Sequence, residues 1–417
     1  MTSESLFARA RGALGASGAT ALCWRVPGRI EFLGKHTDYA GGPSLLCAIE
    51  RGFAIAAVPR ADTRVTIIDA TTGDRAETEL SPQLAVRRRH WANYPFTVCR
   101  RVARNFPGRL HGLELAFASD LPSASGLSSS SALIVGTFLA LSQVNDLGAR
   151  DEYRSAIHND GELAGYLGAI ENGGNFGPLA GDRGVGTQGG SEDHTAILCA
   201  RVDALVHYSF APIRFERALS LPNDAVFVVA SSGVRAAKTG NARAQYNRAS
   251  ALAAEALETW RARTGSAAAS LAEALESAGG IEQLRDALRD RTELLDRVEQ
   301  FAVESRIVRA AGDALARGDL EALGTLVDES QRAAEQLLGN QLPETIALAR
   351  SARELGAIAA SAFGAGFGGS VYALVRLTEA EAFRNRWSED YRRTFPMRAR
   401  SARFFVTRAG ERASRRE

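Results

Sequence analysis

The chain has 417 residues, which at roughly 100–200 residues per domain points to two domains. Its residues are 45% hydrophobic and 24% charged, the proportions of a folded protein and not of a disordered one. A formal net charge of +2 excludes the large single-sign field with which a nucleic acid duplex or an anionic membrane is bound, so the expected partner is a small molecule, with no nucleic acid and no membrane.

In chain order, residues 1–11 carry Glu4 early and lack an apolar core followed by a small-residue cleavage site. No secretory leader is expected there, and the cytoplasm is the expected location. The first half alternates short apolar runs with Gly-rich turns, and residues 53–58, 65–68 and 113–117 read as strands. The longest apolar stretch, 132–141, is far short of the ~20 residues that span a bilayer and reads as a buried helix. Residues 225–230 read as another strand. From 249 to 356, Ala, Leu, Glu and Arg recur at helical spacing. Breaks are expected around Gly265 and at Gly279 and Gly280, and Pro343 opens the last of these helices. Strands return at 370–375 and 403–407. The pattern describes an α+β chain with one domain over 1–218, a second over 219–409, and a basic tail, 410–417, expected to fray.

Four cysteines, Cys23, Cys47, Cys99 and Cys199, are too widely spaced for a zinc site or a disulfide scaffold and read as free thiols. Of 50 basic residues only Lys35 and Lys238 are lysine. A retained lysine in such a chain marks a place for a compact, flexible point charge, unless its survival is chance.

Three segments carry chemistry. In RVPGRIEFLGKHTDYAGG, residues 25–42, Gly and Pro turns surround Arg29, Lys35, His36 and Asp38. Arg29 offers a fork for phosphate or carboxylate, His36 can exchange hydrogen bonds with a hydroxyl, and Asp38 is a strong acceptor for sugar hydroxyls. A surface loop with scattered charges is the plainer alternative. In DLPSASGLSSSSALIVGTFLAL, residues 120–141, small residues run into an apolar helix. There the backbone can approach an anion closely and free N–H groups favour phosphate, although ordinary helix capping produces similar serine runs. The loop lacks the lysine of a P-loop. In SAFGAGFGGSVYALV, residues 361–375, four glycines in six residues call for tight turns or close backbone approach, or for a simple hairpin.

These segments, in this order, resemble the three signature motifs of GHMP kinases, and PGRIEFLGKHTDYAGG is similar to the galactokinase pattern PGRxNxxGEHTDYNGG. Residues 91–102 and 340–357 also resemble galactokinase segments. The resemblance implies an N-terminal domain like the second domain of ribosomal protein S5, a ferredoxin-like C-terminal α/β domain, ATP and Mg²⁺, and a small-molecule sugar. It implies that the serine loop, with Ser123, Ser125, Gly126, Ser128, Ser129 and Ser130, wraps the ATP phosphates. Ser130 and Glu171 would hold Mg²⁺, Glu171 being matched across a lengthened gap. Trp91 would stack on adenine, although core packing is the commoner fate of tryptophan. In GGSEDHTAIL, residues 189–198, Asp193 takes the place of the aspartate in the family's GIMDQ motif. Asp193 and Arg29 would be catalytic, with Glu192 a rival base. His36, Asp38 and the Gly190 backbone would bind sugar hydroxyls.

Two departures stand out. Lys35 replaces a sugar-contacting glutamate, and Lys238 lies in a region where the family carries a sugar-facing tyrosine, with no tyrosine expected at that place here. Both lysines are therefore expected in the sugar pocket. Either they read an acidic sugar such as galacturonate, or Lys35 pairs internally with Glu192 or another acid and galactose binding is preserved. A non-catalytic sugar and ATP sensor is the remaining alternative, opposed by an intact GLSSSS run and by Arg29 and Asp193. Other GHMP activities lack GKHTDYAGG.

Overall fold

The computed structural model describes residues 2–85, 90–122, 125–234 and 241–416. The first half builds strands β1 (Leu22–Leu33), β2 (Pro43–Pro59), β3 (Arg64–Asp69), β4 (Arg75–Glu79), β5 (Leu113–Ser119), β6 (Ala204–Ser209) and β7 (Arg214–Ser220). They form one sheet whose main path runs β1-β2-β5-β3-β4, with β6 joined to β2 and β7 to β6. β3 and β5 are parallel. A parallel pair needs a crossover, and helix Asn93–Asn105 supplies it between β4 and β5. Helix Ser129–Val144, apolar on nearly every side, is buried along most of its length as the sequence implies.

A second sheet contains β8 (Ala225–Ser231), β9 (Ala359–Phe363), β10 (Ser370–Arg376) and β11 (Arg403–Thr407), in the antiparallel order β11-β8-β10-β9. Its strands alternate between two cores, as a pleat of period two requires. Val226, Val228 and Ala230 face helices Pro343–Glu354 and Ala380–Thr394, with Leu348 and Trp387. Phe227 and Val229 face the core of the first sheet. The passage from one sheet to the other falls between Ser220 and Ala225, just after the expected division at 218–219. A third cluster, with Trp260, Leu271 and Phe301 from the helical region, also takes in Ala40 and so lies over the loop carrying His36 and Asp38.

The tail is a correction. It does not fray: β12 (Ala409–Gly410) pairs with β2, and β13 (Ser414–Arg416) pairs with β1. The edge of β1 would otherwise leave a row of backbone groups unpaired, and the basic tail supplies a strand for it. Arg416 adds an ion pair to Glu4 and lies over the Phe7 ring. All four cysteines are free and buried. Among the described residues, no helix is long and apolar enough to cross a membrane.

Candidate active site

The inner half of β1, from Val26 to Leu33, is apolar except where Arg29 and Glu31 interrupt it. Two residues apart on a strand, they project to the same face. Arg29 is 3% exposed. Its Nε donates to Asp193 Oδ1 at 2.6 Å and its Nη1 to the Gly126 carbonyl at 2.6 Å, so one guanidinium ties the candidate base to the serine loop. Burial opposes the charge of Arg29, but Asp193, Glu31 and Glu192 outweigh burial and raise its pKa. Asp193 stands in the first turn of helix Glu192–Cys199, where the helix dipole favours a carboxylate.

Behind Asp193, the Ser131 hydroxyl lies 3.1 Å from Glu171 Oε2 and 3.3 Å from Asp193 Oδ2. His194 Nε2 is 3.4 Å from the same Glu171 oxygen. The serine that meets both carboxylates is therefore Ser131 and not Ser130, which is half-buried one residue earlier in the helix. Helical geometry turns successive residues by about 100°, so a one-residue difference selects another face. Two carboxylates and a hydroxyl are hard oxygen donors of the kind that hold Mg²⁺ together with substrate phosphates. Among the described residues there is no group of three or more His, Cys, Asp or Glu that could hold a metal by itself.

The second glycine segment is the turn of the β9–β10 hairpin and also part of the site. Gly126 has φ +75° and faces Gly369, while the Ser370 hydroxyl donates to the Ser125 carbonyl at 2.7 Å. Gly364 N donates to Glu31 Oε2 at 3.3 Å. The two small-residue loops thus abut, with Arg29 beneath them.

On the other side of Asp193, one cavity is lined by Arg29, Glu31, His36, Asp38, Gly190, Glu192 and Tyr246, among others. His36 Nδ1 is 2.8 Å from the Tyr39 hydroxyl, and its Nε2 is 3.1 Å from the Ala365 carbonyl. Asp38 accepts from the backbone N–H of Tyr39 at 2.8 Å and of Glu192 at 3.1 Å. A Cβ at Gly190 would lie 2.4 Å from Asp38 Oδ2, so the close approach requires glycine. The expectation that this region supplies no sugar-facing tyrosine is corrected: Tyr246, from helix Asn241–Thr264, lines the cavity with its ring 5.1 Å from that of His36. Its place eight residues beyond Lys238 hid it from a reading centred on the lysine.

Lys35 is a further correction. It is 1% exposed and does not line the cavity. Its Nζ donates to the Ser330 hydroxyl at 2.8 Å, and Ser330 in turn donates to Glu304. Glu304 also accepts the backbone N–H groups of Gly34 and Lys35. The lysine thus pairs internally, but through Ser330 with Glu304 and not with Glu192. Burial, with the neighbouring acids Glu31, Asp38 and Asp193, holds the Glu192 carboxyl well above the usual carboxylate range. Burial also pushes Glu31 up to about 7, against the opposing charges of Lys35 and Arg29.

The lengthened segment after Glu171 is pinned to the body of the protein. Buried Arg100 meets Asp182 at 2.5 Å, Arg101 donates to the Gly174 carbonyl, and Asn172 donates to the Gly189 carbonyl. Glu171 and Asp193 therefore meet across the gap. Trp91 is half-buried beside Phe117 of β5, the strand that feeds the serine loop. Ser123 and Lys238 lie outside the described residues.

Comparison with known proteins agrees with this arrangement. The chain matches the galactokinase galactose-binding signature over residues 13–59, the GHMP kinases N terminal domain over 93–174 and the GHMP kinases C terminal family over 313–393. The chain belongs to the galactokinase family of GHMP kinases. It is 29% identical to a galactokinase of Roseiflexus sp. over 93% of this chain and 91% of that one. In fold it is similar to a Lactococcus lactis galactokinase solved with galactose, with TM-score 0.80, 24% identity and 97% of each chain covered. It is also similar to a Methanococcus jannaschii mevalonate kinase, with TM-score 0.59, 13% identity, and 93% and 98% of the chains covered. The two-domain GHMP fold expected from the sequence is present, and the chain is an ATP-dependent, galactokinase-like sugar kinase.

Proposed function

We propose that the chain transfers the γ-phosphoryl group of ATP to the anomeric hydroxyl of galactose or a closely similar neutral hexose. The observation that carries this reading is the bridge from Asp193 through Arg29 to the Gly126 carbonyl. It holds an acceptor for the sugar proton against a loop suited to phosphates. The sugar C1 oxygen attacks the γ-phosphorus, the bond to the β-phosphate oxygen breaks, ADP leaves, and the hydroxyl proton passes to Asp193. Arg29 neutralises charge on the transferred group. Glu192 accepts from the Ser44 hydroxyl, whereas Asp193 is held by Arg29 against the serine loop, so Asp193 is the base. His36, Asp38 and the Gly190 backbone bind sugar hydroxyls, and Tyr246 covers them. Ser125, Gly126, Ser128, Ser129 and Ser130 approach the phosphates, and Trp91 borders the adenine. Glu171 and Ser131 fit a Mg²⁺ ion, which when bound supplies positive charge to the β- and γ-phosphates. The four buried thiols and the use of ATP suit a cytoplasmic location.

The acidic-sugar alternative loses the support of Lys35, which points away from the cavity. An ADP-release assay on a sugar panel tests the reading. Galactose should give turnover, and Asp193→Asn should lower kcat by about 10²–10⁴-fold. Sugar binding without ADP would make the chain a sensor, and preferential use of galacturonate would return the acidic reading.

A further inference from the structure

One face of helix Thr292–Ala316 meets the backbone of residues 34–36 in succession. Arg297, Gln300 and Glu304 stand at i, i+3 and i+7 and so share a face. All three are buried. Glu304 accepts the backbone N–H groups of Gly34 and Lys35, Gln300 donates to the Lys35 carbonyl at 3.0 Å, and Arg297 donates to the His36 carbonyl at 2.5 Å. His36 needs this hold, because its φ of +61° is a left-handed conformation that a residue with a side chain adopts only at a cost.

Arg297 also reaches the His36 ring, through Tyr39. Its Nη2 lies 3.2 Å from the Tyr39 hydroxyl, which is 2.8 Å from His36 Nδ1, and His36 Nε2 is 3.1 Å from the Ala365 carbonyl. The two ends fix the direction of this chain, since a guanidinium only donates and a carbonyl only accepts. Tyr39 therefore accepts from Arg297 and donates to Nδ1, and the ring proton sits on Nε2. A proton on Nδ1 would leave the Tyr39 hydrogen without its acceptor and turn the Nε2 lone pair toward the carbonyl. The Asn340 amide nitrogen is farther from Nε2, at 3.4 Å, and is the weaker contact. His36 and Ala365 both line the cavity, so the Nε2–H stands at its wall.

We propose that Arg297 is a positioning residue for the sugar: acting through Tyr39 and the His36 carbonyl, it holds His36 as the neutral Nε2–H tautomer, a hydrogen-bond donor to one sugar hydroxyl. This rests on the neutral-hexose reading above and deepens it by assigning the direction of one bond. The hydroxyl that meets His36 accepts from it and keeps its own hydrogen for an acceptor of the cavity such as Asp38.

The test reads the ring directly. His36 is one of six histidines, and its signals in nitrogen-15 NMR of the histidine-labelled protein are assigned by their loss in His36→Gln. Without sugar, at neutral pH, the proton should be on Nε2. Tyr39→Phe, which keeps the ring and removes the hydroxyl, should move the proton toward a mixture of the two sites. The four oxygens that Arg297 meets are neutral, so Arg297→Met strands no counter-charge. It should raise the galactose KM about tenfold, the upper end of what one neutral hydrogen bond contributes, with kcat and the ATP KM changed less than about threefold. Arg297→Lys should recover part of the loss. Deoxy and deoxyfluoro galactose are then compared at each ring position, because fluorine accepts weakly and never donates. At one position the fluoro sugar should have the lower KM of the two in the wild type, and that difference should shrink in Tyr39→Phe. A proton on Nδ1 or on both nitrogens, a galactose KM within about twofold of wild type in Arg297→Met, or no position at which fluoro is favoured over deoxy overturns the proposal. If Arg297→Met does not fold, Tyr39→Phe carries the KM expectation as well. Turnover of no sugar refutes the kinase reading, while the tautomer, read without substrate, still decides this one.

Discussion

Replacing Lys35 by glutamate separates what resemblance implies from what the tertiary structure implies. By resemblance, Lys35→Glu restores an acid the family carries and improves galactose use. In the fold, position 35 is 1% exposed and its side chain ends 2.8 Å from Ser330, which donates to Glu304, while Glu31 also feels the lysine charge. The substitution removes a buried cation and sets a third carboxylate among Glu31 and Glu304. Breaking a buried charge interaction from one side costs about 3–5 kcal/mol. At about 2–4 °C per kcal/mol for domains of 150–250 residues, the melting temperature should fall by roughly 6–20 °C. Differential scanning calorimetry of Lys35→Glu, Lys35→Met and Lys35→Glu with Glu304→Gln measures this. Lys35→Met removes charge without reversing it and should cost less, and the Glu304→Gln partner should recover part of the loss. A fall below about 2 °C for Lys35→Glu, less than 1 kcal/mol produces, would refute the internal role of the lysine.

Three further outcomes follow from the same geometry. Gly190→Ala places a methyl 2.4 Å from Asp38 Oδ2; overpacking of this kind costs about 1–3 kcal/mol, and steady-state kinetics should show a raised galactose KM with the ATP KM unchanged. Ser131→Ala should raise the Mg²⁺ concentration for half-maximal rate about 10–100-fold and Ser130→Ala less, in a metal titration at fixed ATP; the reverse order would return that role to Ser130. Finally, Glu31 is raised from 4.5 to about 7 and Glu192 is raised well above 4.5, so the folded state holds more protons than the unfolded one through this window. Their stabilising contribution is full below pH ~4.5 and is lost as pH rises through about 7, and the melting temperature of the Glu31→Gln, Glu192→Gln variant should decline less between pH 5 and 8 than that of the wild type.

The sequence by itself determined the family and the strands and helices with strong periodicity, and it singled out several residues that the fold brings to one cavity. Arg29, His36 and Asp38 could be singled out because the run GRIEFLGKHTDYAGG concentrates polar residues between turns, and Asp193 through the resemblance to the GIMDQ motif. Helix Ser129–Val144 and strands β3, β5, β8, β10 and β11 could be named because burial on one or both faces writes itself into apolar spacing. What only the tertiary structure decided was the direction in which side chains point and which distant segments meet. Whether Lys35 faces a sugar or Glu304 depends on a residue 269 positions away. Whether Ser130 or Ser131 meets Glu171 depends on helix rotation, and the basic tail becomes a strand only because β1 offers it an edge. Tyr246 likewise meets His36 across a long sequence separation. No local pattern encodes these contacts, because their free energy comes from desolvation and hydrogen bonding in a cavity that exists only after the elements have packed.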